Sequence, residues 1–469
     1  MKFLKVENII KVTKGVLIQG DKNFECENFS RDTRNIKKDD TFIGIKGENF
    51  DGNTLWKEAL DNGAKVVIVQ DINFEHENLE KYKDKIIIKV QDTRKALIEI
   101  ATLKRALYGK DLKVIGVTGS VGKTSTKDII ANVLSKKYKT LKTEGNNNNS
   151  VGLPFTILRL KDEEVAVIEM GMNHFGEIDE LTKIAKPDLA VITNIGTSHI
   201  GNLGSRENIL KAKLEILNSM ENPIVIVNND NDLLHKWKEE NSENRKIQIK
   251  TFGIKNSSDA MAKDIILEES SSSFKLFIKN EKIDITIPVA GEHFILNALC
   301  SALVGNTLGL CKEEIQEGIE NFTLTKKRMD ITKLKNGITV INDAYNASYE
   351  SMKASLENLS RYKNNRKIAI LGDMFELGNF QEELHKKVGE EVGNKGIDIL
   401  ICRGEMSQNI INSAVEKGME KSKTIFCKSE EEILKILKEL VKSGDVLLFK
   451  ASNGMKFYET ANKFIKMQN

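Results

Sequence analysis

At 469 residues the chain is too long for one hydrophobic core, and its length predicts two to four domains. Its 40% apolar and 30% charged residues are ordinary for a globular protein, and no run of about eighteen apolar residues is present to span a membrane. The formal net charge of +3 gives no electrostatic reason to expect a nucleic-acid partner.

The N-terminal stretch Met1-Lys2-Phe3-Leu4-Lys5-Val6-Glu7 is interrupted by charges at once, unlike a signal peptide. The cysteines Cys26, Cys300, Cys311, Cys402 and Cys427 are scattered, with no C-x-x-C pair. They are expected to be reduced cytosolic thiols, mostly core fillers, and not a zinc site. Residues 1 to about 90 alternate short β patterns with turns, including a strand at Lys65–Val69. Ser30, Thr33, Arg34 and Asp51 read most simply as turn residues and surface charge, although such a cluster can bind a polar anion. A helix with an Asp92-Thr93 start then bridges into the next unit, which closes the first domain at 1–108.

The second unit, 109–325, contains the most informative stretch of the chain. Val114-Ile115-Gly116-Val117 is a β run, Thr118-Gly119-Ser120-Val121-Gly122-Lys123-Thr124-Ser125 follows it, and a helical pattern continues through Leu134. Glycines let the backbone curl until several N–H groups face one anion, and the helix directs its positive end to the same place. Lys123 can reach terminal phosphates and the Thr124 hydroxyl can hold Mg²⁺. The form is T-G-x-x-G-K-T, narrower than the general phosphate-loop pattern, with Val117 where the first glycine would stand.

Asn146-Asn147-Asn148-Asn149, bracketed by Gly145 and by Gly152 and Pro154, reads as a shaped loop of amide donors. The strand Val165–Ile168 ends in Glu169, which places a carboxylate at the ligand edge of a parallel sheet, suited to Mg²⁺. Two further strands, Leu189–Ile192 and Ile224–Val227, also end in polar residues, which argues for one parallel sheet with a single active edge. His199 follows one of these strands. Lys213, on a helix opened by Ser205, reads by itself as a solvated helix-face lysine. Ser270–Ser273 reads as a hairpin tip, and His293 and Asn297 share one face of a later helix. The remainder, 326–469, is a third α/β unit with strands at Ile338–Ile341, Lys367–Leu371, Ile397–Ile401 and Val446–Phe449.

Together these stretches resemble the Mur ligases of peptidoglycan synthesis over essentially the whole chain. The phosphate loop is common to that family and the folate polyglutamate synthases. Glu169 to Ile178, Asp343-Ala344-Tyr345-Asn346-Ala347 and Gly372-Asp373-Met374-Phe375-Glu376-Leu377-Gly378 are more specific. The resemblance implies a three-domain α/β fold: a small α/β UDP-sugar domain, a P-loop central domain with a parallel sheet, and a Rossmann-like C-terminal domain that binds the incoming amine. It implies that Thr33, Arg34, Gly47, Asp51 and Gly52 contact the uridine diphosphate end, and that Asn146 and Asn346 contact substrate. Thr124 and Glu169 would hold one Mg²⁺, and His199 a second beside Lys213, the lysine that is carbamoylated in these enzymes. Asn297 would contact adenine, and Arg328 and Asp343 the phosphates and ribose. The implied substrates are ATP, UDP-N-acetylmuramoyl-tripeptide and D-alanyl-D-alanine, joined through an acyl phosphate by a cytoplasmic monomer.

Three departures stand out: Ser348-Tyr349 where the family has Asn-Pro, Ala451 and Asn453 where it has Gly and Arg, and Asn53 where it has His. The C-terminal ones fall where the amine should bind and leave a paralogue with another acceptor open. A polyglutamylating ligase and a nucleotide-switched regulatory protein are the competing readings.

Overall fold

The computed structural model describes residues 3–323 and 328–468. The expected domain boundary at 325/326 lies outside the described residues, as do Met1 and Lys2 of the charged N-terminus. Among the described residues the chain forms three large α/β layers, each built on its own sheet.

The N-terminal sheet runs in the order Val16–Gln19, Ile86–Lys89, Val66–Val69, Thr41–Ile43, Phe29–Ser30, with only the Val16–Gln19 edge antiparallel. Val66–Val69 and Ile86–Ile88 are continuous apolar runs because helices or loops cover both faces. Asp92 caps the helix Thr93–Tyr108 by accepting from the Lys95 N–H, as the Asp-Thr start predicts.

The central sheet is nine-stranded. From Thr140–Lys142 through Val165–Glu169, Lys113–Thr118, Leu189–Ile192, Ile224–Asn228 and Gln248–Gly253 all neighbours are parallel. Ala260–Leu267, Ser272–Ile278 and Glu281–Ile287 complete it as an antiparallel meander. Lys113–Thr118 lies between Val165–Glu169 and Leu189–Ile192, so the strand order reverses around it. Such a reversal opens a crevice at the C-terminal ends of the strands. The expected serine tip is half right: Ser272 and Ser273 already belong to a strand, and Ser272 Oγ donates to the Val289 carbonyl at 2.9 Å.

The C-terminal sheet has the order Asp330–Lys333, Thr339–Asn342, Val446–Lys450, Lys367–Gly372, Ile399–Arg403, Thr424–Phe426, antiparallel only at its first pair. The two edge strands, Asp330–Lys333 and Thr424–Phe426, carry too few apolar residues to be legible from pattern. Four cysteines are buried, and Cys311 is exposed. No described helix is long and apolar enough to cross a membrane.

Candidate active site

The strand Lys113–Thr118 is buried except at its first residue and delivers the chain to Gly119, whose φ is +148°. A Cβ at Gly119 would sit 1.9 Å from Thr193 Oγ1, so only glycine fits. Gly122, φ +80°, opens the helix Lys123–Leu134. The end of the neighbouring strand braces the loop. The Ser120 N–H donates to the Asn194 carbonyl at 3.0 Å, the Val121 N–H to Asn194 Oδ1 at 3.0 Å, and Thr193 Oγ1 to the Val121 carbonyl at 2.7 Å. Lys123 folds back over this loop and donates to the carbonyls of Gly119 (2.8 Å) and Ser120 (3.3 Å). Burial lowers its pKa, which the Glu169 carboxylate opposes and the Arg328 guanidinium reinforces.

Glu169 ends its strand and is buried. Its Oε1 accepts from Asn148 Nδ2 at 2.7 Å, while its Oε2 is buried with no hydrogen-bond partner among the described residues. The asparagine run is not a uniform row of donors. Asn148 donates to Glu169, whereas Asn149 Oδ1 accepts from the N–H groups of Val151 and Gly152 at the start of the next helix. Thr124 Oγ1 accepts from Arg328 Nη2 at 3.0 Å. His199 stands at φ +63°, with Nδ1 2.5 Å from Glu376 Oε2. Glu376 is held below the usual carboxyl range by His199.

Lys213 overturns its local reading as a solvated lysine: it is only 1% exposed. It makes no salt bridge or side-chain hydrogen bond among the described residues. Burial, and then the Lys123 charge, pushes its pKa well below that of an ordinary lysine. The helix Arg206–Leu214 has a charged-looking sequence, but the face bearing Ile209, Ala212 and Lys213 is buried.

The opposite wall comes from the helix Glu292–Thr307 and from the C-terminal domain. Asn297 Oδ1 accepts from the Thr126 hydroxyl at 3.0 Å, and its Nδ2 is buried without a partner among the described residues. Arg328 lies 4.6 Å over the Tyr345 ring. Asp343 accepts from the Met329 N–H (3.1 Å), the Ser355 hydroxyl (2.6 Å) and Lys450 Nζ (2.6 Å). Burial pushes its carboxyl up, but Lys450 and these hydrogen bonds outweigh it and leave the pKa below the usual value.

Lys123, Glu169, His199, Asn297, Arg328 and Asp343 all line one cavity of about 490 Å³, together with Ser120–Gly122, Ser125, Asn146 and Asn346. Thr124 and Lys213 are buried beside residues of this lining, and Thr118 and Gly119 are also outside it. Thr33, Arg34, Gly47, Asp51 and Gly52 do not reach this cavity. The Thr33 hydroxyl donates to Glu58 (2.5 Å), and Arg34 forks onto Asp32 (2.8 and 2.7 Å). Asp51 accepts from the Asn53 backbone and side chain, which gives the buried Asn53 a structural role at its departure from the family pattern. The nearby Arg31 guanidinium lies 5.7 Å over Phe155 of the helix Gly152–Leu158, just after the asparagine loop.

Two carboxylates, Glu350 and Glu376, join the domains. Glu350 accepts from the Thr197 N–H (2.8 Å) and hydroxyl (3.0 Å), and a Cβ at Gly196 would lie 2.6 Å from it. Glu376 approaches His199 through its side chain, and its carbonyl accepts from the Gly201 N–H at 3.0 Å. The glycine-rich segments around 196 and 372–378 were visible, but no local spacing pairs them. The lost proline is accommodated: Ser348 caps the helix Tyr349–Ser360, with Tyr349 at its first position.

Comparison with known proteins adds three domain matches: Mur ligase family, catalytic domain, at residues 27–105; Mur ligase middle domain at 117–305; and Mur ligase, glutamate ligase domain, at 327–453. The chain is 37% identical over 467 residues to the UDP-N-acetylmuramoyl-tripeptide--D-alanyl-D-alanine ligase of Bacillus subtilis, covering 98% of each chain. To the Escherichia coli ligase of the same name it is 34% identical, covering 81% of each. Among solved structures, MurF from Acinetobacter baumannii superposes with a TM-score of 0.87 at 29% identity, over 99% of both chains. A MurF ligase from Thermotoga maritima in complex with ADP gives 0.79 at 30% identity, over 94% of this chain and 97% of that one.

Proposed function

The chain belongs to the Mur ligase family, and from that premise we propose that it joins D-alanyl-D-alanine to UDP-N-acetylmuramoyl-tripeptide with cleavage of ATP, in peptidoglycan precursor synthesis. The observation that carries this reading is the shared cavity: Lys123, Glu169 and Asn297 of the central domain face Arg328 and Asp343 from the linker and C-terminal domain. The reaction is γ-phosphoryl transfer to the terminal carboxylate of the tripeptide, giving an acyl phosphate and ADP. The dipeptide amine then attacks the acyl carbon, loses a proton, and the tetrahedral adduct expels phosphate.

The chain's own groups divide this work. With the Ser120 and Val121 N–H groups held by Asn194, the remaining N–H groups of the Gly119–Lys123 turn and the start of its helix cradle phosphate oxygens. Lys123 exchanges its two carbonyl contacts for phosphate, and the added negative charge opposes the lowering of its pKa by burial. The unpaired Nδ2 of Asn297 is a buried donor suited to an acceptor on the adenine ring. Arg328 and Asp343 bring the C-terminal domain onto the nucleotide, so nucleotide binding and domain docking are coupled.

Mg²⁺, when bound, would screen the phosphates and stabilise charge on the transferring group. The donor set fits it in part as it stands: Glu169 Oε2 is a buried oxygen with no partner among the described residues, and Thr124, beside Lys123 in the first turn of its helix, would offer its hydroxyl, which now accepts from Arg328. His199 and Lys213 would hold a second ion, and there an ammonium does not fit. No cluster of three or more His, Cys, Asp or Glu side chains exists among the described residues. Carbamoylation of Lys213 supplies the missing anion, and burial favours the neutral amine that takes up carbon dioxide.

In the same reading residues 1–108, with Thr33, Arg34, Gly47, Asp51 and Gly52, hold the uridine diphosphate, 109–325 hold ATP, and 326–469 present the amine. Asn146 and Asn346 face the peptide, and the enzyme acts as a cytoplasmic monomer. Phosphate release across candidate amines tests the proposal. Turnover must require UDP-muramoyl-tripeptide and D-alanyl-D-alanine together; amine-independent turnover, or turnover only with another amine, refutes it.

A further inference from the structure

A second groove, of about 730 Å³, opens at the C-terminal ends of the parallel strands Ile399–Arg403 and Thr424–Phe426, on the ligand edge of the C-terminal sheet. Its lining includes Arg403, Lys428, Lys456 and Lys463. Lys463 is consumed by Glu430. Arg403, Lys428 and Lys456 form no salt bridge among the described residues, and the carboxylates left in the lining are Glu405 and Glu459. A net positive groove with apolar Phe426 and Met455 beside the cations suits a small peptide carboxylate.

Arg403 is the best placed of these cations. Its guanidinium lies 4.8 Å over the Phe457 ring, and its Nη2 donates to the Met455 carbonyl, which fixes the planar group beside Gly454–Lys456. Position 453, where the family pattern carries arginine, is here an exposed asparagine with no charge. Arg403 thus brings a guanidinium to the same turn from a strand two places along the sheet.

The groove adjoins the reacting centre through one short segment. The Phe375 ring approaches to 3.0 Å from where a Cβ on Gly454 would stand, and its N–H is held by Ser452 Oγ at 2.9 Å. The next residue, Glu376, is 2.5 Å from His199, which lines the nucleotide cavity.

We propose that Arg403, with Lys456, anchors the carboxylate of the amine substrate and so sets acceptor specificity, a role that rests on the ligase reading above. The test compares D-alanyl-D-alanine with its C-terminal amide, D-alanyl-D-alaninamide, in steady-state phosphate release. Wild type should show a KM for the amide roughly tenfold to a hundredfold higher. Arg403→Gln should raise KM for D-alanyl-D-alanine by that factor and leave KM for the amide and for ATP unchanged. An unchanged KM for D-alanyl-D-alanine, or an equal rise for both acceptors, overturns the assignment. Because Arg403 also packs on Phe457, Lys456→Gln at an exposed position provides an independent arm. It should raise KM for D-alanyl-D-alanine several-fold and spare the amide, and no change refutes the proposal. Absence of any wild-type turnover with D-alanyl-D-alanine would instead overturn the ligase reading, and this role with it.

Discussion

Substituting Lys450 by methionine removes the counter-charge of a carboxylate that the fold has buried. Lys450 is itself buried, and its Nζ sits 2.6 Å from Asp343 Oδ2 while also donating to the carbonyls of Asp343 (3.1 Å) and Asn346 (3.3 Å). Breaking a buried pair from one side costs about 3–5 kcal/mol. Asp343 retains its bonds from Ser355 and the Met329 N–H, which puts the expected loss at the low end, about 3 kcal/mol. For a domain of this size that lowers the melting temperature of the C-terminal domain by about 10 °C. The pH dependence follows from the sign of the shift. Asp343 in the folded wild type lies below its ordinary value, so its contribution is present above the unfolded carboxyl pKa and is lost as pH falls through the folded one. In the variant the carboxyl lacks its ammonium and takes up a proton at higher pH, so the gap between the two proteins narrows as pH falls from 7 toward about 4. Thermal melts of wild type, Lys450→Met, Asp343→Asn and the double variant across that range measure it, with the double variant recovering most of the loss. A gap that is constant with pH, or a double variant no more stable than Lys450→Met, would refute the pairing argument.

Gly119→Ala places a methyl group 1.9 Å from Thr193 Oγ1, at a backbone angle that side chains avoid, and should cost at least a hundredfold in kcat/KM for ATP with a near-native circular dichroism spectrum. Lys123→Ala should abolish phosphate release. Lys213→Ala should be largely inactive and partly rescued by small carboxylates added to the assay; wild-type rates would remove Lys213 from the metal site. Asn297→Ala deletes the buried Nδ2, which has no partner among the described residues, and should raise KM for ATP about tenfold while leaving kcat within about twofold, as read from ATP titrations at saturating amine.

Much of the local structure was determined by the chain alone. The apolar run into Gly119-Ser120-Val121-Gly122-Lys123 can only be a strand, a glycine turn and a helix start, because residue types and spacing act over a few positions. The same holds for the caps, since Ser205 accepts from the Asn208 N–H at 3.1 Å where its sequence places a helix start. Tertiary structure decided what distant packing controls. Lys213 lies on a helix whose charges disguise the buried face, and no window around it reveals that it is buried in the folded chain. Glu350 and Thr197 are 153 positions apart, and only the docking of one sheet's edge against another's makes them partners. Adjacent asparagines with identical chemistry diverged for the same reason: Asn148 meets Glu169 and Asn149 meets a helix end, a difference set by the surfaces folded around them and not by the side chains themselves.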